Sequence, residues 1–202
     1  MTQQTPEDLW TAAVGSALAD ASAEERLKLA VARVRAFHDA TGYQRLFGEP
    51  LVPTDGATEQ DLRDLERDLG SPLPREYRAF LNLWRHLILS DGYRIWGVGN
   101  ATERPYIDLE ISPGTPYLVC GDVWHDADGD PLLLSLSDPD PEARVWSHDL
   151  RKIRHLGSTF SLGLSRLVEF LFPAPMLEGT VALVRESVES QLHRRAHPWR
   201  FW

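Results

Sequence analysis

A short segment of the chain, His125-Asp126-Ala127-Asp128-Gly129-Asp130, carries residue types that bind metal ions or transfer protons. Its three aspartates at alternate positions resemble the first half of an EF-hand calcium loop. A loop that begins at Asp126 requires glycine at its sixth position and glutamate at its twelfth, where this chain has Pro131 and Ser137. The segment also lies between predicted strands, whereas an EF-hand loop joins two helices. The pattern therefore does not predict a calcium site.

Two histidine–aspartate pairs, His125-Asp126 and His148-Asp149, resemble the metal-binding pairs of phosphohydrolases. Those enzymes present such ligands from helices, and both pairs here lie at the ends of predicted strands. Zinc requires three or four ligands, and Cys120 lies inside an apolar strand. The chain has no Gly-x-Ser-x-Gly elbow, phosphate-binding loop or dinucleotide motif. We therefore predict a protein that is not an enzyme and uses no metal or cofactor. The alternative of a metal-dependent hydrolase requires the two pairs to converge.

The formal net charge of −9 limits the kinds of partner that the chain attracts. An acidic protein repels the phosphate backbone, which argues against direct nucleic-acid binding, and it attracts a basic protein. Residues 122–142 hold seven acids and no lysine or arginine. A surplus of acid can also serve solubility alone.

A candidate partner-binding surface follows from this acidic stretch and its neighbouring aromatic residues. Asp128-Gly129 predicts a hairpin turn, and we expect the hairpin to bring the acids together. Trp96 and Trp124 could anchor a partner, since tryptophan contributes strongly to interface centres, although strand tryptophans more often fill a core. The predicted partner-binding residues are Asp122, Trp124, Asp126, Asp128, Asp130, Asp138, Asp140 and Glu142.

Three helix-start signals precede the predicted strands that carry these residues. Thr5 is followed by proline and two acids, which predicts a first helix. Ser22 with Glu25, and Thr58 with Asp61, have the spacing of capping boxes. The helix after Ser22 is predicted to end near Gly42, and the helix after Thr58 at Gly70.

The rest of the chain alternates between apolar runs and turn residues. Pro74 opens a further helix, whose apolar spacing predicts that it continues through Trp84 and Leu87 to Ile88. Short β-type runs follow, in YRIWGVG, PYLVCGDVW, PLLLSL and RVWSHD. Helices are predicted again from Ser158 and over residues 178–195. Helices, strands and then helices predict an α+β fold with a mostly antiparallel sheet framed by helices and extra helices at both termini.

Residues 65–81 carry a sequence pattern of a known family. Leu69-Gly70, Leu73-Pro74, Tyr77 and Phe80-Leu81 resemble the opening signature of the SUKH superfamily. Later segments follow in that family's order: Pro116–Val119, Asp128-Gly129-Asp130, Val145–Asp149 and Ser158–Leu171. In that family an asparagine–glycine pair often follows the helix that begins here at Pro74. This chain has Asn82-Leu83 instead.

The resemblance implies a domain division and a function. It covers residues 58–172 as a SUKH-like α+β domain, with an N-terminal helical extension over residues 1–57 and a C-terminal helix with an aromatic, basic tail over residues 173–202. The superfamily takes in bacterial immunity proteins of polymorphic toxin systems and a fungal regulator of cell-wall synthesis. It thus implies an immunity protein that binds a cognate toxin, expected to be basic and nuclease-like. The alternative that it implies is a regulatory scaffold for an endogenous protein.

The expected location is the cytoplasm. The N-terminus lacks the features of a secretory signal, and no apolar run is long enough to span a membrane. We expect the terminal Trp199-Arg200-Phe201-Trp202 to dock on the body of the protein. The sequence does not determine the oligomeric state.

Overall fold

Helices precede and follow a run of seven strands in the computed structural model, which describes residues 21–47, 50–90, 92–99, 104–123, 130–172 and 178–196. The helices are α1 (Ala23–Thr41), α2 (Glu59–Leu69), α3 (Arg75–Leu83), α4 (Phe160–Leu171) and α5 (Glu178–Ala196), with a 3-10 helix at Tyr43–Leu46. The strands are β1 (Leu87–Ser90), β2 (Tyr93–Ile95), β3 (Tyr106–Asp108), β4 (Tyr117–Val123), β5 (Pro131–Ser135), β6 (Ala143–Ser147) and β7 (Lys152–Gly157). The helix predicted after Thr5 lies outside the described residues.

The predicted helix ends of α1 and α2 are confirmed. The backbone N–H of Ser22 donates to the Glu25 carboxylate at 2.8 Å, and the Ser22 hydroxyl accepts the N–H of Glu25. Thr58 and Asp61 form the same capping box at the start of α2. Gly70 ends α2 with φ +67°, a conformation that costs a residue with a Cβ atom about 1 kcal/mol or more.

The prediction that the helix from Pro74 continues to Ile88 is wrong. Helix α3 ends at Leu83, and Leu87–Ser90 forms the edge strand β1. A helix is excluded here because the Arg85 carbonyl accepts the N–H of Val98 at 3.0 Å, which turns the chain into the sheet. A continuous apolar run fits a buried helix or a buried strand equally well, so periodicity alone could not separate them.

All the described strand pairs are antiparallel, and their order in the sheet is β1-β2-β4-β5-β6-β7. Strand β3 pairs with β4 outside this path. The strands predicted from the four apolar runs correspond to β2, β4, β5 and β6, whereas β3 and β7 were not predicted. The predicted α+β class, with a mostly antiparallel sheet framed by helices and helices at both ends, is confirmed.

Helices α1, α3 and α4 share one core with one face of the sheet. The Phe160 ring packs edge-to-face on Tyr77 and Phe80, with ring centroids 5.4 and 5.6 Å apart. Helix α1 contributes Leu27, Val31 and Val34 to the same core. It therefore belongs structurally with the later helices, although it lies within the N-terminal extension defined from the sequence.

A buried polar network also joins these three helices. The Arg26 side chain of α1 donates to the Ser161 hydroxyl at 2.9 Å, and the Glu76 carboxylate of α3 accepts the N–H of Ser161 at 2.7 Å. Arg26 and Glu76 form an ion pair at 3.7 Å, and both side chains are largely buried. Glu76 thus satisfies a free N–H group in the first turn of α4, where a negative charge is favourable.

The C-terminal helix α5 packs against α1 and the 3-10 helix. Arg185 donates to the carbonyl of Ala40 at 2.6 Å, and Arg45 forms an ion pair with Glu189. Val188 is buried in this contact layer. Helix α5 therefore lies against the C-terminal end of α1 and the segment that follows it.

Replacing His38 is expected to make the stability of the protein less sensitive to acid. His38 is 3% exposed, and its Nε2 lies 2.8 Å from the Leu89 carbonyl oxygen. Burial lowers the pKa of His38 below 6.5, against a smaller opposing effect of the Leu89 hydrogen bond and Asp39. The unfolded chain therefore binds a proton first as the pH falls below about 6.5, and the free energy of unfolding decreases from that pH down to the lower folded-state pKa.

The measurement is urea unfolding of wild type, His38→Gln and His148→Gln between about pH 7 and pH 5. His38→Gln keeps a hydrogen-bond donor and removes the titrating ring, so its unfolding free energy should change less across this range. His148→Gln removes an exposed histidine in the same way and serves as the matched control. An equal slope for wild type and His38→Gln would contradict the assignment.

Candidate partner-binding surface

The sheet face opposite the helical core carries a separate apolar cluster. Its buried members are Tyr117, Val119 and Leu133, and half-buried Trp96, Ile111, Trp146 and Ile153 pack against them. None of these residues belongs to a described helix. We call this side of the sheet the open face.

An extra residue in β4 determines which side chains lie on the open face. Val119 pairs with Leu133, but the next pair joins Gly121 to Leu132, so one residue of β4 is unpaired at this bulge. Strict alternation would place Asp122 on the same side as Leu118, in the helical core. The bulge reverses this order, and Asp122 lies on the open face.

Gly121 makes this bulge possible because β2 approaches it closely. A Cβ atom added at Gly121 would lie 2.3 Å from the Arg94 carbonyl oxygen. Arg94 is the register partner of Asp122 across β2 and β4, so the same approach sets the position of the carboxylate. A side chain at position 121 would therefore separate the two strands at this point.

A cleft of about 420 Å³ lies on the open face. It is lined by residues of β3, β4, β5 and β6 and of the segments that follow β2, β3 and β6: Trp96, Tyr106, Asp108, Glu110, Ile111, Asp122, Pro131, Trp146 and His148. Strands β2 and β3 both pair with β4, β2 at its C-terminal end and β3 at its N-terminal end. This arrangement brings aromatic and acidic residues from separate parts of the chain into one concave surface.

Aromatic rings form one wall of the cleft. The Trp96 backbone N–H donates to the Cys120 carbonyl at 2.8 Å, which places Trp96 beside β3. Its ring stacks on Tyr106, with centroids 6.0 Å apart and planes at 29°. No acceptor within the described residues reaches the buried Trp96 Nε1, so packing, and not a hydrogen bond, holds this ring. Tyr106 itself is 47% exposed, although aromatic residues of its size usually bury most of their surface.

The acidic residues of the cleft give it a negative potential. Asp108, Glu110 and Asp122 line it, and among the described residues that line it His148 alone can carry a positive charge. Burial raises the pKa of Asp122, and the positive charge of Arg94 opposes part of this rise. Burial also raises the pKa of Tyr106, and the neighbouring Asp108 and Asp122 add to the effect.

The Asp108 side chain also fixes the turn that leads out of β3. Its Oδ1 accepts the backbone N–H of Glu110 at 2.7 Å and that of Ile111 at 3.2 Å. This turn leaves Leu109 at its tip, 66% exposed. The cleft therefore has an ordered acidic rim with an apolar side chain beside it.

The predicted acidic stretch occupies two separate places in the structure. Asp122 and Asp130 lie together at the β4–β5 end, where the Asp130 carbonyl accepts the N–H of Val123 at 3.0 Å. The Asp130 carboxylate also accepts the N–H of His148 at 2.9 Å. Trp124, Asp126 and Asp128, with the predicted turn at Asp128-Gly129, lie outside the described residues.

The expectation that one hairpin gathers all the acids is wrong for Asp138, Asp140 and Glu142. These three residues follow β5, whose five residues span roughly 17 Å, and so lie at its opposite end. Asp138 accepts the N–H of Asp140 at 2.9 Å, and Asp140 pairs with Arg75 at 3.2 Å. Glu142 pairs with Arg144 at 3.0 Å. Arginines therefore compensate part of the charge at this end.

Of the residues that line the cleft, only Asp122 was among the predicted partner-binding residues; the aromatic and acidic side chains that were missed include Tyr106, Asp108, Glu110 and Trp146. Strand β3 has only three residues, which is too short for alternation to stand out in a sequence. The alternation of Tyr106 and Asp108 about Ile107 was the available signal. Trp96 was predicted as a possible anchor, and it lines the cleft.

Two other residues that were considered for chemistry, Cys120 and His155, lie in β4 and β7. Cys120 is buried in β4 as expected, and burial raises the pKa of its thiol. His155 lies 3.6 Å from Glu142, at the edge of the sheet. Within the part of the chain that the structure describes, no three histidine, cysteine or acidic side chains are grouped as metal ligands would be.

No helix among the described residues is long and apolar enough to cross a membrane.

Comparison with protein families gives a match over residues 56–166, to the SMI1/KNR4 family (SUKH-1). The chain belongs to this family. The matched residues are more than half of the chain and include α2, α3, all seven strands and the first part of α4. The resemblance drawn from residues 65–81 is thereby confirmed. A comparison with curated proteins gave no match.

Gly121→Ala is expected to lower stability and to disturb the cleft of this SUKH-1 protein. The added methyl group would meet the backbone of β2, and such overpacking costs about 1–3 kcal/mol. Urea unfolding measures the loss, and near-ultraviolet circular dichroism reports the surroundings of Trp96.

Gly70→Ala is the reference variant for this experiment. An added Cβ at Gly70 meets nothing within 4 Å, so its cost comes only from the positive φ at the end of α2. It should lower stability without changing the aromatic spectrum. A Gly121→Ala variant with wild-type stability and spectrum would show that the bulge does not depend on glycine.

Proposed function

We propose that the chain is an immunity protein that binds a cognate toxin in the cytoplasm and neutralises it as a stoichiometric complex. The observation that carries this proposal is the SUKH-1 match over residues 56–166. The family resemblance implies immunity proteins of polymorphic toxin systems. The acidic cleft on the open face supports the same proposal from the structure.

The proposed mechanism is occlusion, and the toxin is a basic, nuclease-like domain. A nuclease needs a positive surface around its active site in order to bind phosphates. An acidic protein that covers this surface competes with the nucleic acid for the same charges. Complementary charge also raises the association rate, which favours capture of the toxin before it reaches its substrate.

The two acidic ends of β5 differ in the role that we assign to them. Asp122 lines the cleft together with its aromatic residues, and Asp130 precedes the lining residue Pro131 and accepts the N–H of His148, which suits direct contact with a partner. Asp138 and Asp140 lie far from the cleft and are tied to each other and to Arg75. We therefore expect the second pair to contribute long-range attraction and little contact energy.

Co-expression with candidate toxin domains, taken first from the genes next to the one that encodes this chain, tests the proposal. Cells that produce the toxin alone should stop growing, and cells that also produce this protein should grow. The purified proteins should form a complex of fixed stoichiometry, measured by calorimetry. Growth arrest that persists despite folded, abundant protein would contradict the proposal and favour the alternative of a regulatory scaffold for an endogenous protein.

Paired acid substitutions separate contact from attraction in that complex. Asp122→Asn with Asp130→Asn should weaken toxin binding about tenfold or more, since charged hydrogen bonds in an interface contribute about 1.5–3 kcal/mol each. Asp138→Asn with Asp140→Asn removes the same charge at the other end of β5. It should change mainly the association rate and its dependence on salt. Equal losses of affinity for the two pairs would contradict this division.

A further inference from the structure

We propose that the cleft on the open face binds an arginine side chain of the protein partner. This inference rests on the proposed function, because the partner is the toxin. It adds the side chain that is recognised and assigns the contact to Trp96, Tyr106, Asp108, Asp122 and Trp146.

The shape and lining of the cleft suit a side chain that is flat and apolar over part of its surface. Its volume of about 420 Å³ falls within the range of about 300–1,000 Å³ that is usual for ligand pockets. Trp96 and Tyr106 form a stacked aromatic wall, and Trp146 also lines the cleft. Guanidinium groups stack on such rings and are weakly hydrated, so they lose little when they leave water.

The negative charge of the cleft favours a cation, because the basic groups beside it neutralise only part of that charge. The described part of its lining has three carboxylates and a single histidine. Arg94 lies opposite Asp122 in the register of β2 and β4 and compensates part of that charge. Asp122 is still half-buried, and burial raises its pKa despite Arg94. Burial removes water from the charged carboxylate of Asp122, and a cation in the cleft would compensate for this loss by stabilising the charged form.

The geometry favours arginine over lysine. Carboxylates at two places in the lining, Asp108 on β3 and Asp122 on β4, match the several N–H donors that radiate from a guanidinium plane. An ammonium group presents one compact charge that is strongly hydrated and stacks less well on an aromatic ring. The Asp108 carboxylate is already oriented by its bonds to the Glu110 and Ile111 N–H groups, so little ordering is needed on binding.

The rim of the cleft offers the apolar contact that a protein partner needs around an arginine. Leu109 is 66% exposed and Tyr106 is 47% exposed, next to the acidic rim. Neighbours of this kind cover the methylene groups of an arginine and exclude water from its charged contacts. Exposed apolar side chains beside a charged cleft therefore point to a macromolecular partner that carries the arginine.

Peptide titration of the isotope-labelled full chain tests the cleft without the toxin. The probes are three blocked tripeptides with glycine at both ends and arginine, citrulline or lysine in the middle. Nuclear magnetic resonance follows the indole N–H signals, which Trp96→Phe and Trp146→Phe variants assign. The arginine peptide should shift the Trp96 and Trp146 signals. Citrulline has the same planar shape without the charge and should bind about tenfold more weakly, and lysine should also bind more weakly.

Matched acid variants locate the binding site. Asp108→Asn with Asp122→Asn should weaken binding of the arginine peptide about tenfold, and Asp138→Asn with Asp140→Asn should change it by less than about twofold. Tyr106→Ala should also weaken it, and this exposed position provides a second variant if the double change affects folding. Equal affinity for the arginine and citrulline peptides would overturn the inference. So would shifts that appear at neither indole, or an equal loss in the Asp138 and Asp140 variant.

Failure of this inference and failure of the proposed function give different results. If the arginine peptide binds in the cleft but no toxin is neutralised, the proposed function is wrong and the cleft serves another basic protein. If the toxin is neutralised equally well by wild type and by the Asp108→Asn, Asp122→Asn variant, the proposed function stands and the arginine assignment is wrong.

Discussion

The extra residue in β4 is the constraint on which the candidate surface depends. Strand β4 pairs with β2, β3 and β5, so a change in its register is transmitted to all three. The bulge between Val119 and Gly121 moves Asp122 away from the helical core, where an unpaired carboxylate would cost several kcal/mol. It also moves Val123 into that core. One unpaired residue thus places both an acidic and an apolar side chain in a suitable environment.

The helical side of the sheet provides the rigidity that the open face needs. Tyr77 joins the two sides, because its ring lies in the helical core and its hydroxyl donates to the Trp96 carbonyl at 2.6 Å. Gly97 lies directly after Trp96, and an added Cβ there would be 1.7 Å from the Arg85 carbonyl oxygen. The backbone at Trp96 and Gly97 is therefore held by contacts with α3 and with the segment that follows α3. This support holds the ring of Trp96 in position although its Nε1 has no acceptor among the described residues.

The sequence was informative where a local rule decides the structure, and it failed where distant segments decide it. The capping boxes at Ser22 and Thr58 involve residues three positions apart, so their types alone predicted the helix starts. Leu87 and Ile88 were predicted to continue a helix, because only their pairing with β2 makes them part of a strand. The bulge at Gly121 depends on the approach of Arg94, which no local pattern contains. For the same reason, the acids after β5 could not be separated from those before it without knowledge of the strand lengths.

The separation of the two sheet faces has a consequence for how such proteins can diverge. Neighbouring residues of one strand have different surroundings: Ile107 lies beside Leu65 and Leu69 of α2, whereas Asp108 lines the cleft. The residues that line the candidate surface are thus largely different from those that form the helical core. Substitutions on the open face can therefore change the candidate surface, while the selection that maintains folding acts mainly on the other face.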